Sequence, residues 1–150
     1  MWTDPTTPNA ADFLSFVLEQ GVPGADLPAN SPYPGLVMNM ALARVVGADT
    51  SDPIEYVLAV YNLGMHLLCK MSQDQVGQTF FSDTRKAMKL TSFRAGLVLA
   101  SGDGPTSETF DVPDWVKRMS LRDLDLINSP WGREYMGYMQ MYGPHVTVMV

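Results

Sequence analysis

His66 and Cys69 are the residues whose types and spacing come closest to supporting chemistry. They stand three positions apart in LGMHLLCKM, so a helix would make them neighbours on one face. A histidine beside a cysteine can act as the base that activates a thiol nucleophile. Such a pair also needs an exposed cleft and a group that orients the base, whereas the surroundings of Cys69 are apolar. We therefore interpret Cys69 as a small core side chain and His66 as part of a polar stripe, bonded to a loop or to solvent.

The other residues that commonly carry chemistry are few and scattered. His145 is the second histidine, and two distant histidines with one cysteine do not match the ligand spacing of a metal centre. Asp123 and Asp125, near Ser120 and Arg122, have the pattern of a solvated helix face. We therefore predict no catalytic residues, no cofactor and no metal, and we expect a protein that is not an enzyme.

The composition of the whole chain excludes several classes of partner. The net charge of −6 and the absence of a Lys/Arg run offer phosphates no binding surface, so free nucleic acid is not an expected ligand. The first residues, MWTDPTTPNAAD, have neither the basic start nor the apolar run of a signal peptide. A chain of 150 residues is expected to form a single domain made in a cytoplasm, with residues 1–9 as a loose extended arm.

The stretch from Asp52 to Met71 must position the remaining elements. Asp52 can cap a first helical turn, Pro53 needs no hydrogen-bond partner there, and Glu55 completes a capping-box-like start. The rest of the stretch is apolar almost all the way round, except for one narrow stripe. The stripe consists of Glu55, Asn62, His66 and Lys70. These four polar residues argue against a membrane span, and so thin a stripe predicts a central buried helix over 52–71.

Two helices and a long loop are predicted before this central helix. Asn9 and Gly21 are residue types that begin and end a helix, and the segment between them places Phe13, Phe16 and Val17 on one face. Residues 21–35 contain four prolines and three glycines and are predicted to be a loop. Helical periodicity returns over 36–46, where Leu36, Met40 and Ala43 align. This segment and the central helix would form an antiparallel hairpin.

Three further helices are predicted after the central one. The first is capped by Ser82 and spans 83–90. Its Arg85, Lys86 and Lys89 are the only basic cluster, which we interpret as a solvated helix end, where cations are favourable. The second starts near Asp111 and Pro113 and continues to 128, and its inward anchors are Trp115, Met119 and Leu126. The third opens at Ser129 and Pro130. It carries an aromatic stripe of Trp131, Tyr135, Tyr138, Met139 and Tyr142, which is typical of a core face or a subunit interface.

Two segments have strand character. An apolar run, a Gly-rich turn and an alternating run predict a β-hairpin at about 93–112, with its turn at Gly102, Asp103 and Gly104. The extended tail, HVTVMV, alternates strictly and comprises His145, Val146, Thr147, Val148, Met149 and Val150. A lone strand leaves its backbone unpaired, so we expect these six residues to pair with the hairpin or with another chain. The predicted fold is mainly α: a small helical bundle with a β-hairpin and a C-terminal strand.

The run from Asn128, NSPWGREYMGYMQMYGP, resembles a C-terminal pattern of the head–tail adaptor (connector, or head-completion) proteins of tailed bacteriophages. The matching positions are Ser129, Trp131, Gly132 and Tyr135. In the same family a central apolar helix with a small/His-Leu-Leu centre precedes a Gly- and Ser-containing extended segment. Gly64, His66, Leu67 and Leu68 resemble the first feature, and residues 96–107 resemble the second. The order of features agrees over roughly residues 36–150, whereas the loop at 21–35 and the helix near 83–90 depart from the pattern.

The resemblance implies a helical subunit with a small β-hairpin that assembles into a homo-oligomeric ring, commonly of twelve copies, beneath the capsid portal. The ring extends the DNA channel and offers a platform to the next neck or tail protein. The expected partners are therefore copies of the chain, the portal protein and a neck or tail protein, with DNA as passing cargo and no membrane. The expected location is the neck of the virion.

Two other interpretations of the sequence stay open at this point. The chain has features compatible with another phage structural component, such as a tail terminator or a minor capsid protein. It is also compatible with a small helical binding or regulatory module of bacterial origin. The size of the protein in solution, alone and with portal assemblies, distinguishes the adaptor from these alternatives.

Overall fold

A computed structural model describes residues 2–91, 100–103, 106–109 and 120–142. These residues contain six α-helices and two short strands. The helices are α1 (Ala10–Glu19), α2 (Tyr33–Arg44), α3 (Pro53–Met71), α4 (Phe80–Ala87), α5 (Leu121–Ile127) and α6 (Pro130–Tyr142), and a 3-10 turn covers Gly24–Asp26. The strands are β1 (Ala100–Asp103) and β2 (Thr106–Thr109), which pair antiparallel. The protein is mainly helical, as predicted.

The central position of α3 is confirmed. The Asp52 carboxylate accepts hydrogen bonds from the backbone N–H groups of Ile54 and Glu55, and Pro53 occupies the first turn. The helix packs mainly against α2 and α6. Within α3, Tyr61 is completely buried. The core of the described residues is therefore built around this helix.

The predicted polar stripe of α3 needs one correction. Glu55 and Lys70 are exposed and Asn62 is partly exposed, but His66 is buried with 2% of its surface accessible. Its burial arises because the junction of α5 and α6 covers this part of the helix. The Glu55 carboxylate, which was expected to complete a capping box, accepts a hydrogen bond from the Tyr142 hydroxyl.

Helix α1 agrees with the predicted signals. The Asn9 side chain accepts a hydrogen bond from the backbone N–H of Asp12, and Gly21 adopts a φ of 96° just after the helix. Phe13, Phe16 and Val17 form its buried face. The ring of Phe13 approaches α3 at Gly64, where an added Cβ would lie 2.9 Å from the ring, so this crossing depends on a glycine.

Helix α2 begins earlier than predicted. It starts at Tyr33, inside the segment interpreted as a loop, because Pro34 falls in the first turn, where no N–H is required. Its buried residues are Val37, Met38 and Ala41, whereas Leu36 and Ala43, two of the three residues predicted to align, are exposed.

Two further helix starts differ from the predictions. Helix α4 begins at Phe80, and Ser82 lies inside it, because the Asp74 carboxylate accepts from the Phe81 and Ser82 N–H groups and closes the first turn. Helix α5 begins at Leu121, since Ser120 is extended and forms a capping box with Asp123. A continuous helix from 114 to 128 is therefore excluded, whereas the predicted burial of Leu126 is confirmed.

The strands lie within the range of the predicted hairpin. Ala100 stands opposite Thr109 and Asp103 opposite Thr106. The remainder of the 93–112 prediction, the anchors at 115 and 119 and the tail at 145–150 fall outside the described residues. In the part of the chain that the structure describes, no helix is both long and apolar enough to cross a membrane.

Candidate functional site

The two segments that carry the family resemblance meet at one buried contact. His66 Nδ1 on α3 lies 2.6 Å from Ser129 Oγ. Ser129 is the residue directly before α6. Both side chains are buried, with 2% and 0% of their surface accessible. The backbone N–H of Gly132 donates to the same Ser129 Oγ at 2.9 Å. We call this set of His66, Ser129 and Gly132 the His–Ser joint.

The sequence around Ser129 explains why the joint forms. Ser129 accepts from the N–H three residues further on, which is the geometry of a helix N-cap, and Pro130 comes next, at the position that tolerates proline. A Cβ added to Gly132 would lie 2.1 Å from the Leu126 carbonyl oxygen. Only glycine therefore allows α5 and α6 to approach so closely, and this approach aims Ser129 at α3.

The electrostatics of the joint keep the histidine neutral. Burial, with a further contribution from the positive charge of Lys70, lowers the pKa of His66 to about 4. A neutral imidazole whose proton is on Nε2 can accept at Nδ1, and in that tautomer the Ser129 hydroxyl donates to Nδ1 while it accepts from the Gly132 N–H. At the rim of the joint Lys70 forms an ion pair with Asp125 of α5. Asp125 is thus a pairing residue rather than part of a freely solvated face.

The chemistry available at this site is limited by burial. The Cys69 thiol is buried, and burial, opposed only by the charge of Arg85, raises its pKa to about 12. A thiol that holds its proton so firmly is a poor nucleophile at neutral pH. Ser129 Oγ is enclosed and already shared between two partners. The geometry suits the fixing of helices in place rather than attack on a substrate.

The other matching positions of the motif have separate contacts. Trp131 Nε1 donates to Gln20 Oε1 at 2.9 Å and so links α6 to the end of α1. Tyr135 is buried, and burial raises the pKa of its hydroxyl. One turn later the Tyr138 hydroxyl donates to the Val46 carbonyl at 2.8 Å, which attaches α6 to the connection between α2 and α3. The aromatic stripe of α6 is therefore a core face in the described residues.

Of the other predicted site residues, the structure describes only Gly102 and Asp103. Gly102 and Asp103 lie in β1, opposite Ser107 and Thr106 of β2. Gly104 and the six tail residues from His145 to Val150 lie outside the described residues. In the described ranges no group of three or more histidine, cysteine or acidic side chains is placed to hold a metal ion.

Sequence reasoning missed a second polar cluster at the start of the chain. The buried Asp12 carboxylate accepts hydrogen bonds from Thr3, Asp4 and Asn9. Burial opposes the charge of Asp12, but these hydrogen bonds outweigh it and lower its pKa to about 2. Thr3, Asp4 and Asn9 are thus held against α1, so the start of the chain is not a loose arm. The one sequence signal was an acidic residue three positions after a helix cap.

Comparisons with protein-family models, with curated proteins and with solved structures found no match for this chain.

Proposed function

We propose that this protein is a structural subunit of a head–tail adaptor ring in a tailed bacteriophage, without catalytic activity. The observation that carries the proposal is the His–Ser joint. The resemblance was identified from two stretches more than sixty residues apart, and the His66–Ser129 bond joins them. A pattern in which distant matching residues contact one another is expected of a common scaffold, and it favours a shared fold over a coincidence of short motifs.

The buried chemistry of the joint supports a structural role. The Ser129 hydroxyl is shared between His66 Nδ1 and the Gly132 N–H, and the cysteine on the same helix is protonated at neutral pH. Such a site holds α3, α5 and α6 in one arrangement. Helix α6 ends at Tyr142, shortly before the tail, so a firmly held α6 gives the proposed binding segment a fixed origin.

The charge of the chain supports a ring that DNA passes through. A net charge of −6 would let a channel wall repel phosphates, whereas a basic wall would hold the DNA. In this proposal the tail, residues 145–150, adds a strand to a neighbouring subunit or to the portal protein. Main-chain hydrogen bonds supply the affinity in that mode of binding. The β-hairpin is proposed as the second peripheral contact.

The first experiment measures assembly. We expect the purified chain to form rings or to bind portal assemblies, as seen by light scattering and negative-stain imaging. Deletion of residues 145–150 should abolish assembly and leave the circular dichroism spectrum largely intact. A protein that stays monomeric with portal present contradicts the adaptor function, and assembly that survives the deletion contradicts strand donation.

A point substitution separates main-chain pairing from side-chain packing. Val148→Pro removes a backbone donor from the tail, whereas Val148→Ala shortens the same side chain and keeps the donor. We expect the proline variant to lose assembly and the alanine variant to retain most of it. Equal losses in both variants would indicate that the valine side chain, and not a strand, makes the contact.

A further inference from the structure

We propose that residues 2–8 form an exchangeable arm, which binds either its own chain or the same surface of a second copy. We call this surface, formed by Asp12, Phe16 and Tyr61, the arm seat. The proposal needs only a second copy of the chain and does not depend on the adaptor function.

The contacts divide cleanly between the arm and the seat. The Trp2 ring lies edge-on to Tyr61, with centroids 5.1 Å apart, and to Phe16 at 6.1 Å. The Asp12 carboxylate accepts from the Thr3 N–H at 2.7 Å, the Thr3 hydroxyl at 3.0 Å and the Asp4 N–H at 2.8 Å. The arm supplies every one of these donors and α1 supplies the acceptor. A second copy presents an identical seat, so the arm can form the same contacts there.

The start of α1 is fixed independently of the arm. The Asn9 N–H donates to the Tyr61 hydroxyl at 3.1 Å, and that hydroxyl lies 3.3 Å from the Asn9 carbonyl, to which it donates. The Asn9 side chain also donates to Asp12 at 2.8 Å. These bonds remain when the arm leaves. Asn9 is therefore the anchor, and the movable part lies before it.

Residues 5–8 have the properties of a hinge. Pro5, Thr6 and Thr7 are exposed, and the chain reverses here through Asp4 Oδ1, which accepts from the Thr6 N–H at 2.9 Å and the Thr6 hydroxyl at 2.6 Å. Opening the hinge breaks this exposed turn, which water can replace. The opened arm of seven residues spans roughly 20 Å, enough to reach an adjacent copy. In dilute solution the arm binds the seat of its own chain, because the short tether keeps the arm close to that seat. At high protein concentration the seats of other copies compete, so exchange is favoured.

Photocrosslinking of the full chain tests the exchange. A photoreactive benzoylphenylalanine in place of Trp2 keeps an aromatic ring on the seat. Isotopically heavy and light chains are mixed, concentrated and irradiated, and the linked peptides are analysed by mass spectrometry. We expect crosslinks from position 2 to α1 or α3. The fraction of these crosslinks that join a heavy chain to a light chain should rise with protein concentration. Links that remain within one isotope at every concentration would overturn the exchange, and an absence of links to α1 and α3 would overturn the seat.

A matched pair of substitutions tests the role of the carboxylate. Asp12→Asn places an amide where the arm presents its donors, while Asp83→Asn makes the same change at an exposed position of α4. We expect Asp12→Asn to lower the crosslink yield severalfold and Asp83→Asn to leave it unchanged. Circular dichroism of each variant verifies that it is folded. A folded Asp12→Asn variant with the wild-type crosslink yield would contradict the proposed role of the Asp12 carboxylate in binding the arm.

Discussion

His66 is surrounded by charged groups from three helices: Lys70 on α3, Arg44 on α2 and Asp125 on α5. The two cations disfavour a charged imidazole, the carboxylate favours it, and burial dominates all three. The Ser129 hydroxyl is the polar partner of Nδ1 and already accepts from Gly132. The folded protein therefore binds a proton at His66 less readily than the unfolded chain does.

This difference predicts a specific dependence of stability on pH. The pKa of His66 falls from 6.5 when unfolded to about 4 when folded. As the pH falls from 6.5 to about 4, the unfolded chain takes up a proton at His66 before the folded protein does, so the free energy of unfolding decreases. The total decrease from this residue is on the order of 3 kcal/mol, and above pH 6.5 there is none. Urea unfolding, followed by circular dichroism at a series of pH values, measures it.

His66→Asn isolates the contribution of His66 to the pH dependence of stability. The asparagine oxygen can accept a hydrogen bond from Ser129 but cannot be protonated in this pH range. We expect the variant to lose the part of the pH dependence that lies between 6.5 and 4. His145→Asn is the matched control, since it removes the other histidine and leaves the contribution of His66 in place. Equal slopes in the wild type and the His66 variant would rule out this histidine as the source.

Gly132 is a second residue whose identity the structure explains. A Cβ at this position would meet the Leu126 carbonyl oxygen at 2.1 Å, whereas a Cβ at Gly137, in the same helix, would meet nothing within 4 Å. We expect Gly132→Ala to lower the free energy of unfolding by about 3 kcal/mol and Gly137→Ala to raise it by about 0.5–1 kcal/mol. Urea unfolding compares the two, and a tolerated Gly132→Ala would contradict the close approach of α5 and α6.

At the scale of elements, local signals predicted the helices that supply their own caps. Asn9, Asp52 and Pro130 marked the starts of α1, α3 and α6 correctly, because each acts within its own first turn. The start of α4 was misplaced because its stabilising carboxylate, Asp74, lies several residues before the helix. The His66–Ser129 contact has no local signal either, since its partners are 63 residues apart in the chain.

The end of α3 also depends on another element. Arg85 of α4 donates from Nη1 to the carbonyl oxygens of Cys69 and Ser72, which the last turn leaves without intrahelical partners. The sequence-based interpretation placed this basic cluster at a solvated helix end. The structure shows instead that Arg85 holds α4 against the C-terminus of the central helix.

Arg85→Gln should therefore destabilise the last turn of α3. We expect a loss of about 1.5–3 kcal/mol in the free energy of unfolding, because a charged donor is removed from two carbonyl groups. Amide hydrogen exchange should accelerate locally near the end of α3. Lys86→Gln, with the same change of charge at an exposed position of the same helix, should change neither quantity. Similar effects in both variants would indicate a general effect of charge.

At the scale of the whole molecule, the sequence predicted the mainly helical class and a central helix but not how the start of the chain is held. The first residues appeared loose because their partner, Asp12, is recognisable only once α1 turns its carboxylate toward the arm. Composition is more informative about the whole molecule, because the net charge of −6 does not depend on the fold. It sets how copies of the chain interact over distance.

The charge predicts how the proposed assembly responds to salt. Copies that each carry −6 repel one another, and salt screens this repulsion over a Debye length of about 8–10 Å at moderate ionic strength. We expect association, measured by sedimentation at low and high salt, to strengthen as salt rises. The variant Glu19→Lys with Asp83→Lys raises the net charge by four at two exposed positions, so its association should depend less on salt. Association that weakens with salt would mean that ion pairs between copies, and not strand pairing or the exchanged arm, hold the assembly together.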